Sequence, residues 1–367
     1  MTKEDRSNRS RFATDTRNMR SPSAGSVEDS SSARFQPSRR SNPPDGIPPV
    51  EGLRMRQVFT HEPVMVDEVV ALFAPVPAGV VIDATVGGGG HAEALLVAHP
   101  HLRVVGLDRD PDAVVAATDR LQRFGARAMV RRARFDRLDH IAGEMRMGPG
   151  SASGVLFDLG VSSAQLDRPE RGFSYRADAP LDMRMDQDEG PTAADLANTM
   201  SESELARLFA ANGEGRFASR IARAVVAARP VTTTAALADV VRSALPAAVR
   251  RQGGHPARRV FQALRIAVNE ELEVLADALP VAIDLLAPGG RSVVISYHSG
   301  EDRIVKAAFR EAETGGCSCP PGLPCTCGAV SSGKLVFRGT RRPTPLEVAR
   351  NRRAESARLR AFERGAA

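Results

Sequence analysis

The apolar positions of this chain fall into short unbroken runs, each followed by a helical pattern. Runs of four to eight apolar residues between turn residues mark strands buried on both faces. GVVIDATVGGGGHAEALLVA predicts a strand over 80–84, a Gly-rich turn at 87–90 and a helix from about residue 91. LRVVGLDRDPDAVVAATDRL predicts a second strand over 103–107, ending in Asp108, and a helix opening near Pro111. Proline suits a first helical turn, because its missing N–H has no partner there anyway. RAMVRRARFDRLDHI holds a weaker third strand, and SGVLFDLGVSS a fourth over 154–158, ending at Asp158. PVAIDLLAPGGRSVVISYHSGEDRIVKAAF gives a helix, a Pro-Gly-Gly turn, a strand over 292–297, a loop and a helix. Strands alternating with helices predict an α/β fold with a parallel sheet covered on both faces.

Two stretches break this rhythm. Between Asp186 and about Arg250 no strand-like run occurs. SESELARLF opens with Ser201 and places Glu204 three residues on, a capping box. RFASRIARAVVAA and TAALADVVRSAL add two helices, so an all-helical domain is expected to interrupt the sheet. HPARRVFQALRIAVNEELEVLADAL, residues 255–279, is expected as one long helix leading back into it. Ahead of the first strand, Val66, Val69, Val70 and Phe73 fall at helical spacing within residues 59–73. The first fifty residues hold ten Ser, six Pro and only two aromatics, too little apolar surface to offset the entropy of ordering. The expected organisation is a disordered extension over 1–56, a sheet domain over 57–185 and 255–340, a helical insertion over 186–254, and a basic C-terminal helix or tail over 341–367.

Composition narrows the class. Hydrophobic residues make up 42% and charged residues 26%, ordinary for a globular protein. No apolar run approaches the ~20 residues that cross a bilayer. The N-terminus has no apolar signal segment, so a cytoplasmic enzyme is expected. The net charge is +6, and residues 338–364, with nine Arg and three Glu, carry that whole excess. A local basic block of this kind points to a polyanion. Arg216, Arg220, Arg223, Arg258 and Arg259 add basic positions on the expected helices.

A Gly-rich turn between strand and helix lets backbone N–H groups approach an anion. Gly87, Gly89 and Ala92 fit a loose G-x-G-x-x-A pattern, and Asp108 stands at the tip of the next strand, where an acid accepts hydrogen bonds from ribose hydroxyls. Such a nucleoside belongs to NAD or to S-adenosylmethionine. No second nucleotide-binding half is visible, and LLAPGGRSVVIS resembles the late helix–turn–strand of Rossmann-like methyltransferases.

Specific motifs carry the resemblance further. DATVGGGGHAEALL, LDRDPDA, DLGVSSAQLDRPERGFSYRADAPLDMRMD, HPARRVFQALRIAVNEELEVL, SYHSGEDRIVK and RRPTPLEVARNRRAESARLR closely resemble, in the same order, the bacterial 16S rRNA cytosine-N(4) methyltransferase family. The resemblance implies a Rossmann-like class I methyltransferase sheet with an inserted helical domain. It implies methylation of the exocyclic amino group of a cytidine in the decoding region of 16S rRNA. The cofactor it implies is S-adenosyl-L-methionine, held by Gly89, Gly90, His91, Asp108, Phe135, Asp158 and Gln165. The partner it implies is 16S rRNA, within the small ribosomal subunit. Gly300 stands where the family usually has Leu, and Arg258 where Thr is common.

The chemistry of the acceptor separates two reactions. Methylating carbon 5 of cytosine needs a Cys nucleophile. All four Cys, at 317, 319, 325 and 327, sit in one Gly/Pro-rich stretch away from the strand tips. An amino group needs only in-line positioning and a proton acceptor. Ser162, Ser163, Asp182 and His298 are the candidates for that acceptor. The Pro-Pro-aromatic motif of many amino methyltransferases is missing after Asp158, which weighs against DNA. The competing functions are an amino methyltransferase of another RNA or DNA, and a non-catalytic nucleic-acid-binding Rossmann protein. Cys317, Cys319, Cys325 and Cys327 fit either a structural zinc site or a reduced, redox-sensitive loop, and no metal is assigned.

Overall fold

The computed structural model describes residues 62–250, 255–320 and 326–366; the extension expected over 1–56 lies outside them. Seven strands form one sheet: β1 Gly79–Asp83, β2 Leu102–Asp108, β3 Ala128–Arg132, β4 Ala152–Asp158, β5 Leu286–Ser296, β6 Gly333–Leu335 and β7 Arg358–Arg364. Their order is β3-β2-β1-β4-β5-β7-β6. β1 to β5 run parallel, while β7 pairs antiparallel with both β5 and β6. The expected doubly wound α/β sheet is therefore present.

Successive side chains of a strand point to opposite faces, and the apolar runs split accordingly. Val81, Val104, Leu156 and Val293 join one core with α1 (Val66–Phe73), α2 (Gly90–Ala98) and α3 (Pro111–Leu121). Ile82, Val105, Phe157 and Val294 join the other, with α4 (Leu138–Glu144).

The chain between β4 and β5 is helical: α5 Ser163–Asp167, α6 Ala193–Thr199, α7 Glu202–Phe209, α8 Ala218–Ala227, α9 Thr234–Ala244, α10 Ala247–Arg250, α11 Arg258–Asn269 and α12 Glu271–Leu285. Ser201 and Glu204 cap α7 reciprocally, as their spacing predicts. A third core, built on Leu205, Phe209, Ile221, Leu237 and Val241, also takes in Phe173, Leu181 and Met183 before residue 186 and Val260, Phe261 and Leu264 after 254. The helical layer is thus wider than the stretch 186–254. Among the described residues no helix is long and apolar enough to cross a membrane.

Two expectations are corrected. The helix expected over 255–279 breaks at Glu270, which takes a left-handed conformation with φ 52°. α11 packs in the helical core, while α12 and α13 (Ser299–Thr314) pack on the sheet. Asn269 fixes the turn: its Nδ2 donates to the carbonyls of Met183 (2.8 Å) and Arg265 (2.9 Å), and its Oδ1 accepts from the Met185 N–H (2.9 Å). The basic tail is not a helix throughout. α14 covers only Pro345–Arg350, and residues 358–364 enter the sheet as β7. Leu359 and Ala361 bury on one face of the sheet and Phe362 on the other.

Candidate active site

A cavity of about 490 Å³ opens at the carboxyl ends of β1, β2, β4 and β5. In open α/β sheets this edge is where ligands bind. The loop after β1 supplies Gly87 and Gly88 to its wall, and the first turn of α2 supplies Gly90 and His91. Gly87 has φ 50°, and its N–H donates to Asp108 Oδ2 at 2.9 Å. Gly89 is placed differently from its neighbours. It caps α2 with φ 79°, and a Cβ there would lie 3.3 Å from the Cα of Ala117, so it allows α2 and α3 to approach rather than facing the cavity.

Asp108 ends β2 on the cavity wall, and its Oδ1 accepts the Asp110 N–H at 2.9 Å. Burial pushes its carboxyl up to about 6, with the Asp110 and Gly87 N–H groups opposing the rise. Each oxygen keeps a lone pair beyond these bonds, as a partner for two hydroxyls requires. Phe135 lines the cavity and meets Phe157 edge-on, with ring centroids 5.6 Å apart. A purine could lie against its ring.

Asp158 ends β4 beside this wall. Its Oδ1 accepts the Tyr297 hydroxyl at 2.7 Å, and its Oδ2 lies 3.6 Å from His91 Nδ1. His91 Nε2 donates to the Val64 carbonyl at 2.9 Å. Burial, then the Asp158 charge, raises the Tyr297 hydroxyl well above its ordinary value, so it remains a donor. Under this pair sits Asp83, wholly buried, whose carboxyl burial pushes up to about 7 against the pull of His91.

Gln165 is buried and lines the cavity, and its amide joins two loops: Nε2 donates to Asp110 Oδ2 at 2.8 Å and Oε1 accepts the Ser162 N–H at 2.9 Å. Arg171 Nη1 donates to the same Asp110 oxygen at 3.0 Å. Arg171 and Asp110 thus form a buried ion pair that locks the loop after β2 to the loop after β4. Neither was predicted, since the pair is made only by the fold.

The four proton-acceptor candidates separate. Ser162 lines the cavity and caps α5, its Oγ accepting the Gln165 N–H at 3.3 Å. Ser163 is the first residue of α5. Asp182 is not on the cavity wall; it binds Arg184 at 2.8 Å, which holds its carboxyl below the ordinary value against the effect of burial. His298 lines the cavity but spends Nδ1 on capping α13, accepting the Gly300 and Glu301 N–H groups at 3.2 and 3.4 Å. Burial raises the Glu301 carboxyl, yet His298, Arg265 and the Tyr297 N–H outweigh it and hold it low. Glu271, His298 and Glu301 bring ligand atoms within 4.8 Å of one another. Arg265 occupies both Glu271 oxygens, at 2.7 Å each, so an internal cation already compensates that charge. Away from the cavity, Cys317, Cys319 and Cys327 come together, while Cys325 lies outside the described residues.

The far wall belongs to the helical layer, through Arg258, Phe261, Gln262 and Arg265 of α11. Tyr175 packs there, stacked on His255 at 4.1 Å and edge-on to Phe261 at 5.5 Å. The cavity is therefore a cleft between a nucleoside-suited sheet edge and a helical wall. Residues 58–365 match the MraW methylase family. This chain belongs to that family. A Thermobifida fusca protein named ribosomal RNA small subunit methyltransferase H is 53% identical over 311 residues, covering 83% of this chain and 93% of the relative. Its namesakes in Heliobacterium modesticaldum and a Parafrankia species are 48% and 51% identical, covering 84% of this chain in each case and 99% and 95% of theirs. The family match spans both walls of the cleft, so the helical layer is as much a part of the family fold as the sheet.

Proposed function

We propose that this chain methylates the exocyclic N(4) amino group of a cytidine in the decoding region of small-subunit rRNA, with S-adenosylmethionine as methyl donor. The observation that carries the reading is the cleft, in which the Asp108 wall and the Asp158–Tyr297 pair meet within one cavity. The relatives' names supply the rRNA class. S-adenosylmethionine supplies an electrophilic methyl group on its sulfonium when bound. Gly87, Gly88 and Gly90 leave backbone free to approach the methionine carboxylate, Asp108 accepts the ribose hydroxyls, and Phe135 packs on the adenine. Gln165 acts as a positioning residue, tying Asp110 to Ser162 across the cavity wall.

The amino nitrogen of cytosine is a weak nucleophile, its lone pair conjugated into the ring. It gains from an acceptor for its N–H and from exact placement in line with the methyl group. Asp158 is the acid at the β4 tip on the cavity wall, with its Oδ1 held by the Tyr297 hydroxyl and its Oδ2 3.6 Å from His91 Nδ1. Asp158 replaces the four earlier candidates as the proton acceptor in this proposal. A base in a folded RNA reaches such a cleft only if unstacked, and Arg258 at its rim is placed to meet a phosphate.

The test incubates the full chain with methyl-labelled S-adenosylmethionine and either naked 16S rRNA or small subunits lacking the modification. Nucleosides are then resolved by mass spectrometry. N(4)-methylcytidine is the expected product in at least one substrate; label in 5-methylcytidine, or no label in either, overturns the reading.

A further inference from the structure

We propose that Cys317, Cys319 and Cys327 hold a structural zinc ion that braces the connection between α13 and β6. The Sγ atoms of these residues lie within 4.8 Å of one another, and those of Cys317 and Cys327 are 3.6 Å apart. A disulfide places its sulfurs at about 2.05 Å, far inside this distance. Thiolates on one tetrahedral zinc, with bonds of about 2.3 Å, lie roughly 3.8 Å from each other. The 3.6 Å between Cys317 and Cys327 is close to the second spacing, and Cys319 Sγ lies within 4.8 Å of both.

The two arms of the loop meet at the C-terminus of α13. Gly315 ends that helix with φ 62°, and a Cβ there would lie 2.3 Å from the Val330 carbonyl oxygen. The Cys317 N–H donates to the Thr314 carbonyl at 3.2 Å and the Ser332 N–H to that of Ala312 at 2.8 Å, closing the neck. Beyond the neck no described residue between Gly315 and Ser332 is buried, and Val330 is 80% exposed. The described residues of this segment supply no core of their own, and small units without one gain stability from a cross-link or a metal. Three soft sulfur donors on one side of such a segment select zinc over calcium or magnesium. Binding releases the thiol protons to solvent, and the fourth tetrahedral position is left to solvent or a further protein donor. The loop lies outside the active-site cleft, so the ion has no part in methyl transfer.

The experiment is metal analysis of the full chain purified without chelator. About one zinc per chain is expected, falling below a tenth of that in Cys317→Ser/Cys327→Ser. Replacing zinc by cobalt should give thiolate-to-cobalt charge-transfer absorption. The double variant should melt at lower temperature yet bind S-adenosylmethionine with wild-type affinity. Three results overturn the proposal: iron in place of zinc; a wild-type chain that carries no metal and whose thiols react at once with Ellman's reagent even after incubation with zinc; or a double variant that retains the metal in full.

Discussion

Asp108 ties the cofactor reading to a measurable pH dependence. Its carboxyl titrates at about 6 because it is buried, and only the carboxylate accepts from both ribose hydroxyls. Affinity for S-adenosylmethionine is therefore expected to be flat above about pH 7 and to fall by up to tenfold per unit below the titration. Asp108→Ala should lose at least tenfold at pH 8, since charge-assisted hydrogen bonds are worth about 1.5–3 kcal/mol each; unchanged calorimetric affinity would remove Asp108 from the site. Asp83 has a different consequence. Its folded-state value of about 7 lies above the ordinary 3.8, so the native state holds a proton that the unfolded chain gives up. Stability is thus lost as pH rises from about 4 through 7. Asp83→Asn should melt above wild type at pH 8, with the gap narrowing as pH falls and closing only below about pH 4, and a gap that does not narrow would refute the assignment. Asp158→Asn keeps the shape but weakens the acceptor. Its turnover is expected to fall by about 10²–10⁴, with cofactor affinity changing less than in Asp108→Ala.

Among the elements, β7 changes what the basic tail can do. Arg360 Nε binds Asp302 at 2.8 Å and Arg358 binds it at 3.1 Å, while Arg353 reaches Asp167 at 2.7 Å. Arg360→Gln should lower stability by about 1.5–3 kcal/mol and leave the salt dependence of rRNA binding unchanged; a flattened slope would return the tail to the RNA surface. Four of the five parallel strands were legible because burial on both faces leaves continuous apolar runs, and the Asp108 and Asp158 positions followed from the strand ends; β3, at the sheet edge with no buried residue, left only a weak signal. The strand nature of residues 358–364 was written in their alternation, with Leu359 and Ala361 against Arg358 and Arg360, but the arginines resembled a solvated helix face. The break at Glu270 had no Gly or Pro to announce it, since its cause is a side chain reaching across to Met183 and Met185. The Asp110–Gln165–Arg171 lock joins residues 55 and 61 positions apart, which no local pattern encodes.

At the scale of the whole molecule, the cleft is held by ties between its parts rather than by either wall alone. Arg171→Met removes the partner of buried Asp110, an ion pair with side chains 4% and 3% exposed. Leaving such a charge uncompensated costs about 3–5 kcal/mol, and urea midpoints should show a loss of that order. The sheet order carries one more implication. β7 lies between β5 and β6, so among the described residues β6 pairs only with residues 358–364, and β5 keeps an open edge until they arrive. On the ribosome these residues emerge after everything else in the sheet. Until then the nascent chain shows a long apolar edge of the kind that recruits foreign strands. Synthesis stalled before residue 358, or a truncation there, should thus yield a species that aggregates or is taken up by chaperones, although every cleft residue named above has already been made.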